Sequence, residues 1–173
     1  MILNFKLVKV DYKYCDYLRK YDNRVAYSKD KKELIPFVGV LFEFNDMEYF
    51  APLTSPKPKH LRMKNTIDFL RIDDGKLGAI NFNNMIPVTV DNYSLVDLNK
   101  KVNSVSERKY QKLLREQLDW LNENYTQIKN KSFKLYKLYN DKRLSSNIMD
   151  RCYDFKLLEE KCIIYNKKMV EVS

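Results

Sequence analysis

One histidine, three glycines and three cysteines in 173 residues leave this chain without most of the common catalytic kits. A lone imidazole, His60, removes every mechanism that needs two, including His-rich metal sites and paired-histidine acid–base chemistry. With Gly39 and Gly78 in no glycine-rich phosphate loop, ATP chemistry has no support. Cys15, Cys152 and Cys162 are odd in number and form no C-x-x-C pair, so neither a disulfide framework nor a zinc site is indicated. Asp73 and Asp74 beside Gly75 read as a turn rather than an acid–base couple, which disfavours a magnesium-dependent nuclease. We therefore expect no metal and no cofactor. No run approaches the roughly 18 apolar residues of a spanning helix, and residues 1–6 lack the basic-then-apolar order of a signal peptide. The expected address is the cytoplasm, away from any membrane.

What the chain does have is positive charge and aromatic rings. Lys and Arg number 32 against 23 Asp and Glu, a formal charge of +9. Such a field attracts polyanions, and 13 tyrosines with nine phenylalanines offer faces on which unpaired bases stack. Nucleic acid is the expected partner class. The length suits one domain spanning residues 1–173, with 45% hydrophobic residues to build its core.

Hydrophobic periodicity divides that domain into a sheet-rich part, residues 1–100, and a helical part, residues 104–165. Residues 2–8 read as a strand, and Tyr14, Leu18 and Tyr21 mark a short helix capped by Asp11. Residues 28–33 read as a polar surface loop. Residues 37–44, almost continuously apolar, suit one central strand buried on both faces, and Asn45-Asp46 turns the chain into a partner at 47–53. A second hairpin pairs 67–72 with 77–82, and 85–90 adds a strand in which Pro87 marks an edge or bulge. Short strands joined by tight turns point to a strongly bent sheet or barrel. Further on, Tyr110, Leu113, Leu114, Leu118, Leu121, Tyr125 and Ile128 share one face of a single helix, with Arg108, Lys112 and Arg115 opposite. A second short helix carries Leu135, Leu138 and Tyr139. A last one carries Phe155, Leu158, Cys162 and Tyr165, its Glu159-Glu160-Lys161 reading as a solvated or ion-paired face.

The most informative stretch is residues 52–60, Pro-Leu-Thr-Ser-Pro-Lys-Pro-Lys-His. Pro56 and Pro58 fix φ and remove backbone donors, so the loop leaving the strand is stiff and Thr54, Ser55 and Lys57 are preorganised. Two hydroxyls and an ammonium within four residues match the needs of a phosphodiester: hydrogen bonds to non-bridging oxygens and a cation where charge builds up. Standing alone, the same residues describe a surface turn with solvated lysines. Their position at the exit of a buried hairpin, beside a basic tract, favours chemistry.

The order of hairpin, Leu53-Thr54-Ser55-Pro56-Lys57, Leu77-Gly78-Ala79-Ile80-Asn81-Phe82 with Met85-Ile86-Pro87-Val88, Ser94-Leu95-Val96-Asp97-Leu98, Tyr110 to Leu118, and Phe155-Lys156-Leu157-Leu158-Glu159-Glu160-Lys161 resembles the ToxN/AbiQ endoribonuclease toxins of type III toxin–antitoxin systems. The resemblance covers nearly the whole chain. It implies an α+β fold, a highly twisted antiparallel sheet or SH3-like barrel related to the MazF/Kid toxins, with additional helices that are mainly C-terminal. It also implies metal-independent cleavage of single-stranded RNA by 2′-hydroxyl attack, leaving a 2′,3′-cyclic phosphate and a 5′-hydroxyl. The implied antitoxin is itself RNA, cut from a repeat transcript into pseudoknots that close with the toxin into an RNA–protein assembly. The implied role is phage defence by abortive infection or maintenance of a mobile element.

On this resemblance Thr54, Ser55 and Lys57 fall on the family's active-site motif, and Tyr14 falls on a tyrosine at the site. Lys57 is expected to neutralise the developing phosphorane and Thr54 and Ser55 to position it. Tyr14 is expected to stack a base or hydrogen-bond the 2′-hydroxyl. His60, the one side chain with an unperturbed pKa near neutrality, is a candidate for proton transfer, with positioning as the alternative. Lys29, Lys31, Lys32, Lys59, Arg62, Lys64, Arg108, Lys112 and Arg115 make a candidate RNA track. Two rival readings remain open, a non-catalytic RNA-binding module that never cuts and a structural protein with no RNA affinity.

Overall fold

The computed structural model describes residues 4–25 and 35–173. Lys29, Lys31, Lys32 and the expected loop at 28–33 lie outside them. In the first part run β1 (Lys6–Val10), α1 (Tyr12–Arg19), β2 (Phe37–Gly39), β3 (Glu43–Phe44), β4 (Met47–Thr54), β5 (Phe69–Arg71), β6 (Ala79–Asn81), β7 (Ile86–Val88) and β8 (Tyr93–Leu95). The helices α2 (Val105–Glu123), α3 (Tyr125–Asn140), α4 (Ser146–Arg151) and α5 (Phe155–Val172) follow. The result is a mixed α+β architecture in which the helices, α1 apart, follow the strands.

All strand pairs are antiparallel, in the order β5-β6-β4-β2-β1-β8. Of the two forms expected, bent sheet and closed barrel, the hydrogen bonding gives the open sheet, since β5 and β8 end the path without pairing to each other. β4 organises it. Its first half pairs with β3 and β7, its second half with β2 and β6, so one eight-residue strand changes partners midway. Its C-terminal end, Thr54, is half-buried and pairs with Ala79 of β6. Asn45 and Asp46 both take positive φ, 49° and 63°, in the tight turn that feeds β4.

The expected single strand at 37–44 is two pieces. Leu41 donates to the Tyr49 carbonyl and Tyr49 donates to the Phe42 carbonyl, so two residues oppose one, the arrangement of a β-bulge. The bulge lets consecutive side chains both enter the core: Leu41 is fully buried and Phe42 stacks on Tyr49 with ring centroids 4.6 Å apart. A two-sided apolar run reads the same in either case.

The expected long helix through Ile128 also divides. Asn124 leaves the helical region at φ −108°, ψ 24°, and its side-chain amide donates to the Trp120 carbonyl at 2.8 Å, capping α2 while α3 begins at the next residue. The apolar face continues across the break through Leu121, Ile128 and Leu135. Asp11 caps α1 as the sequence suggests, accepting from Lys13 N at 2.7 Å, and Ser104 and Glu107 cap α2 reciprocally. Glu159 corrects another expectation. Rather than facing solvent, it is buried against the sheet, where its Oε1 accepts the hydroxyls of Tyr49 and Tyr136.

Candidate active site

The chain leaves β4 at Thr54, crosses exposed Ser55, Pro56 and Lys57, and enters a 3₁₀ turn at Pro58–Leu61. Pro58 supplies the first turn residue, whose missing N–H costs nothing there. His60 then closes the loop twice. Its backbone N–H donates to the Lys57 carbonyl at 2.9 Å, and its Nδ1 accepts the Lys57 N–H at 3.1 Å. Both backbone polar groups of Lys57 are thereby fixed while its side chain stays exposed, without an ion-pair partner among the described residues. The loop backbone at Lys57 is thus held by His60 between its two flanking prolines.

The imidazole is 3% exposed. Burial first, then the charges of Lys59 and Lys57, hold its pKa below the usual 6.5. An Nδ1 that accepts from Lys57 requires the proton to sit on Nε2, so the neutral ring is the form the fold uses. The hydrogen-bond contacts His60 makes in this fold are to the backbone of Lys57.

The hairpin between β5 and β6 supports the loop from behind. Gly75, at φ +92°, packs against the backbone of His60 so closely that a β-carbon would sit 2.3 Å from the His60 carbonyl oxygen. Gly78 approaches Thr54 in the same way. Asp73 and Asp74 form the expected turn, both at positive φ. Among the described residues, no three His, Cys, Asp or Glu side chains converge as the ligands of a metal ion would.

Two cavities adjoin the loop, and Thr54, Lys57 and Asn81 line both. The smaller, about 370 Å³, also takes Lys59, His60, Lys64, Asp68 and Arg151. The larger, about 650 Å³, takes Ser55, Arg24, Glu107, Tyr110 and Tyr153. A strip of two hydroxyls and one ammonium therefore lies between a strongly cationic recess and a wider one walled by tyrosines.

The remaining expected site residues fall unevenly around this strip. Lys59 and Lys64 line the smaller cavity, while exposed Arg62 lies between them in sequence without lining it. Arg108 and Arg115 use their guanidinium groups on the carbonyls of Asn103 and Leu98, and Lys112 pairs with Glu116 at 3.6 Å. Arg108 and Arg115 anchor α2 to the segment before it, Lys112 pairs within the helix, and none of the three lines either cavity. Tyr14 must be corrected outright. It is fully buried, its hydroxyl donates to the Pro87 carbonyl at 2.5 Å, and its ring packs on Tyr165, so it can neither stack a base nor reach a ribose. The reason is local: α1 packs on α5, and Tyr14 lies on the packed face.

Sequence reasoning missed Asn81, Arg24, Tyr153, and the pair formed by Asp68 and Arg151. The pair is 83 residues apart, Nε to Oδ2 at 2.9 Å and Nη2 to Oδ1 at 3.0 Å. No spacing rule finds such a contact. For Asn81 a signal existed, because its strand partners Thr54 through the neighbouring register, Thr54 opposite Ala79.

The family model described as the ToxN toxin of type III toxin–antitoxin systems matches residues 6–162. An endoribonuclease ToxN of Bacillus thuringiensis subsp. kurstaki is 32% identical over 169 residues, covering 95% of this chain and 86% of its own. A solved structure of a type III toxin that a non-coding RNA pseudoknot selectively inhibits superposes with a TM-score of 0.78 at 32% identity, covering 95% of this chain and 99% of that one. The structure of AbiQ, a lactococcal anti-phage endoribonuclease of a type III system, gives a TM-score of 0.79 at 28% identity, with the same coverages. A match of this extent over a bent antiparallel sheet, a proline-stiffened loop and four C-terminal helices has one reading: the chain belongs to the ToxN family of type III toxin–antitoxin toxins.

Proposed function

We propose that residues 1–173 act as one endoribonuclease domain that cuts single-stranded RNA at the Thr54–Lys57 strip without a metal ion. The observation that carries this reading is the double closure of His60 on Lys57, which holds an exposed ammonium beside two hydroxyls at the junction of two cavities. The substrate's own 2′-hydroxyl attacks the adjacent phosphorus. The new O2′–P bond forms as the P–O5′ bond breaks, the 2′ proton leaves, and the departing 5′ oxygen takes one up. The products are a 2′,3′-cyclic phosphate and a 5′-hydroxyl. Lys57 stabilises the phosphorane where negative charge accumulates, and Thr54 and Ser55 hold its non-bridging oxygens. His60 positions Lys57. Lys59 and Lys64 hold the strand electrostatically.

The same reading makes the inhibitor an RNA. A pseudoknot cut from a repeat transcript occupies the basic face and closes with the toxin into a hetero-oligomeric assembly in the cytoplasm, the free toxin acting in abortive infection or element maintenance. The inhibition of the solved relative by an RNA pseudoknot supports this, as does the +9 charge. Kinship with the MazF/Kid fold belongs to the same proposal.

The test is cleavage of a fluorescent RNA oligonucleotide in EDTA. Lys57→Ala and Ser55→Ala should lose cleavage and growth inhibition while keeping the wild-type melting temperature. Full activity in either would reject this site, and an uncut substrate bound tightly by wild type would mark a binding module instead.

A further inference from the structure

Two arginines flank the Thr54–Lys57 strip, each gripping a carboxylate through two nitrogens, and they differ in what they have left. Arg24, at the larger cavity, binds Asp22 through Nε and Nη2 at 2.9 and 2.8 Å. It also donates through Nη1 to the Asp150 carbonyl and through Nη2 to the Cys152 carbonyl. All three of its nitrogens are committed. Arg151, at the smaller cavity, uses Nε and Nη2 on Asp68 and leaves Nη1 without a hydrogen bond among the described residues.

The support behind Arg151 exceeds what a surface ion pair needs. Asp68 has a side chain only 3% exposed, whereas that of Arg151 is 50% exposed. Thr66 donates to Asp68 Oδ1 at 2.8 Å, and the Asp68 carbonyl accepts Phe82 N at 2.9 Å. The Arg151 backbone is tied as well: its carbonyl accepts from the Asn83 amide at 3.3 Å, and Tyr153 N donates to the Asn83 carbonyl at 2.9 Å. Guanidinium and backbone are both held, and the half-exposed side chain lines the cavity next to Lys57.

The charge of that cavity says what it takes. Lys57, Lys59, Lys64 and Arg151 line it against one carboxylate, Asp68, which Arg151 already neutralises. A pre-oriented fork with a spare nitrogen in a cationic recess is matched by an anion with several acceptor oxygens. Lys57 lines both flanking cavities, so each lies within reach of a linkage next to the one held at Lys57. The smaller one offers the uncommitted donor; the larger one has Glu107 and an arginine with every nitrogen in use.

We infer that Arg151, oriented by Asp68, binds the RNA phosphate adjoining the scissile one, making the smaller cavity a phosphodiester subsite. The inference rests on cleavage at Lys57 and adds a second fixed point for the strand, so that strand register is set by Arg151 as well as by the proline loop.

The experiment uses short 2′-O-methyl RNA, which cannot be cut by 2′-hydroxyl attack, so binding is read apart from chemistry. Neutral methylphosphonate linkages are placed one at a time, and affinity is measured by anisotropy for the full-length wild type, Arg151→Ala and Arg151→Lys. Arg151→Ala should lose about tenfold in affinity for the fully charged oligonucleotide, roughly the cost of one good phosphate contact. That loss should vanish when one particular linkage is neutral, and the linkage should be the neighbour of the bond that wild type cuts in ordinary RNA. Arg151→Lys should fall between, because an ammonium cannot grip Asp68 and the phosphate together. Asp68→Asn, which leaves the arginine charge in place, should weaken the same linkage. An Arg151→Ala loss equal at every linkage, or no loss beside a lowered melting temperature, would make the pair a strut and overturn the inference. If the Arg151 signature holds but Lys57→Ala still cuts ordinary RNA, the phosphate subsite stands and the placement of cleavage falls.

Discussion

Gly78 approaches Thr54 so closely that a β-carbon on it would lie 1.9 Å from the Thr54 carbonyl oxygen. With φ at +103°, the position is closed to other residues both by backbone conformation and by contact with the residue that opens the candidate loop. Gly78→Ala should therefore cost at least about 2 kcal/mol, lowering the melting temperature by roughly 4–8 °C. Because the atom it strikes belongs to Thr54, cleavage should fall further than the loss of folded protein explains. Thermal melts and rates corrected for folded fraction would check this; a variant with unchanged specific activity would count against Gly78 as a support of the site.

The acid side of the pH profile should belong to His60. Its folded pKa is lowered by burial, then by Lys59 and Lys57, so the unfolded chain takes up this proton near 6.5 and the folded chain only at lower pH. Between those values the unfolded state binds more protons, and stability falls as pH falls; above 6.5 the contribution is complete. Protonating Nδ1 also removes the acceptor of the Lys57 N–H, so cleavage by the folded protein should fall only at the acid end of that window, as pH drops through the lowered, folded value. His60→Ala should reduce kcat more than RNA affinity. The difference in melting temperature between wild type and His60→Ala should be flat above 6.5 and shrink below it. A difference independent of pH would detach His60 from this role.

Salt dependence separates the two groups of cations. Lys59→Ala and Lys64→Ala should each lower the slope of log K against log salt by about 1, as expected for a lost phosphate contact. Arg108→Ala and Arg115→Ala should leave it near the wild-type value, because their guanidinium groups already serve the carbonyls of Asn103 and Leu98. Affinities measured between low and moderate salt decide the matter, and equal slope changes in all four would return α2 to the RNA track.

How much of this was legible in the chain depends on the range of the interaction. The loop at 52–60 was readable because proline fixes φ locally and the hydroxyls and lysine are near neighbours in sequence. The two hairpins were readable because Asn45-Asp46 and Asp73-Asp74-Gly75 are turn chemistry over two or three residues. The bulge at Leu41 and Phe42 was not, since an apolar run buried on both faces carries no alternation to break. Tyr14 was misplaced because a tyrosine on a helix face looks the same whether α5 covers it or RNA does. Asp68 and Arg151 meet only once the sheet and α4 are both in place, so nothing local marks either. Glu159 was misread for the same reason, beside Glu160, which does face solvent.

Glu159 and Tyr14 together test whether buried polar groups here serve packing rather than catalysis. Glu159 Oε1 accepts both the Tyr49 and Tyr136 hydroxyls, and burial and the carboxylate push the Tyr136 phenol up to about 12, so both stay protonated donors at neutral pH. Glu159→Ala leaves two buried hydroxyls without their acceptor and should cost about 3–5 kcal/mol, against roughly 1 kcal/mol for Glu159→Gln, which keeps an oxygen in place. Tyr14→Phe removes the donor to Pro87 and the hydroxyl beside the Cys162 thiol and should cost about 1–2 kcal/mol. Neither Tyr14→Phe nor Glu159→Gln should change kcat for RNA cleavage below the melting transition. A kcat loss of tenfold or more in Tyr14→Phe, with the fold intact by circular dichroism, would bring this tyrosine back into the active site and require α1 to part from α5 when RNA binds.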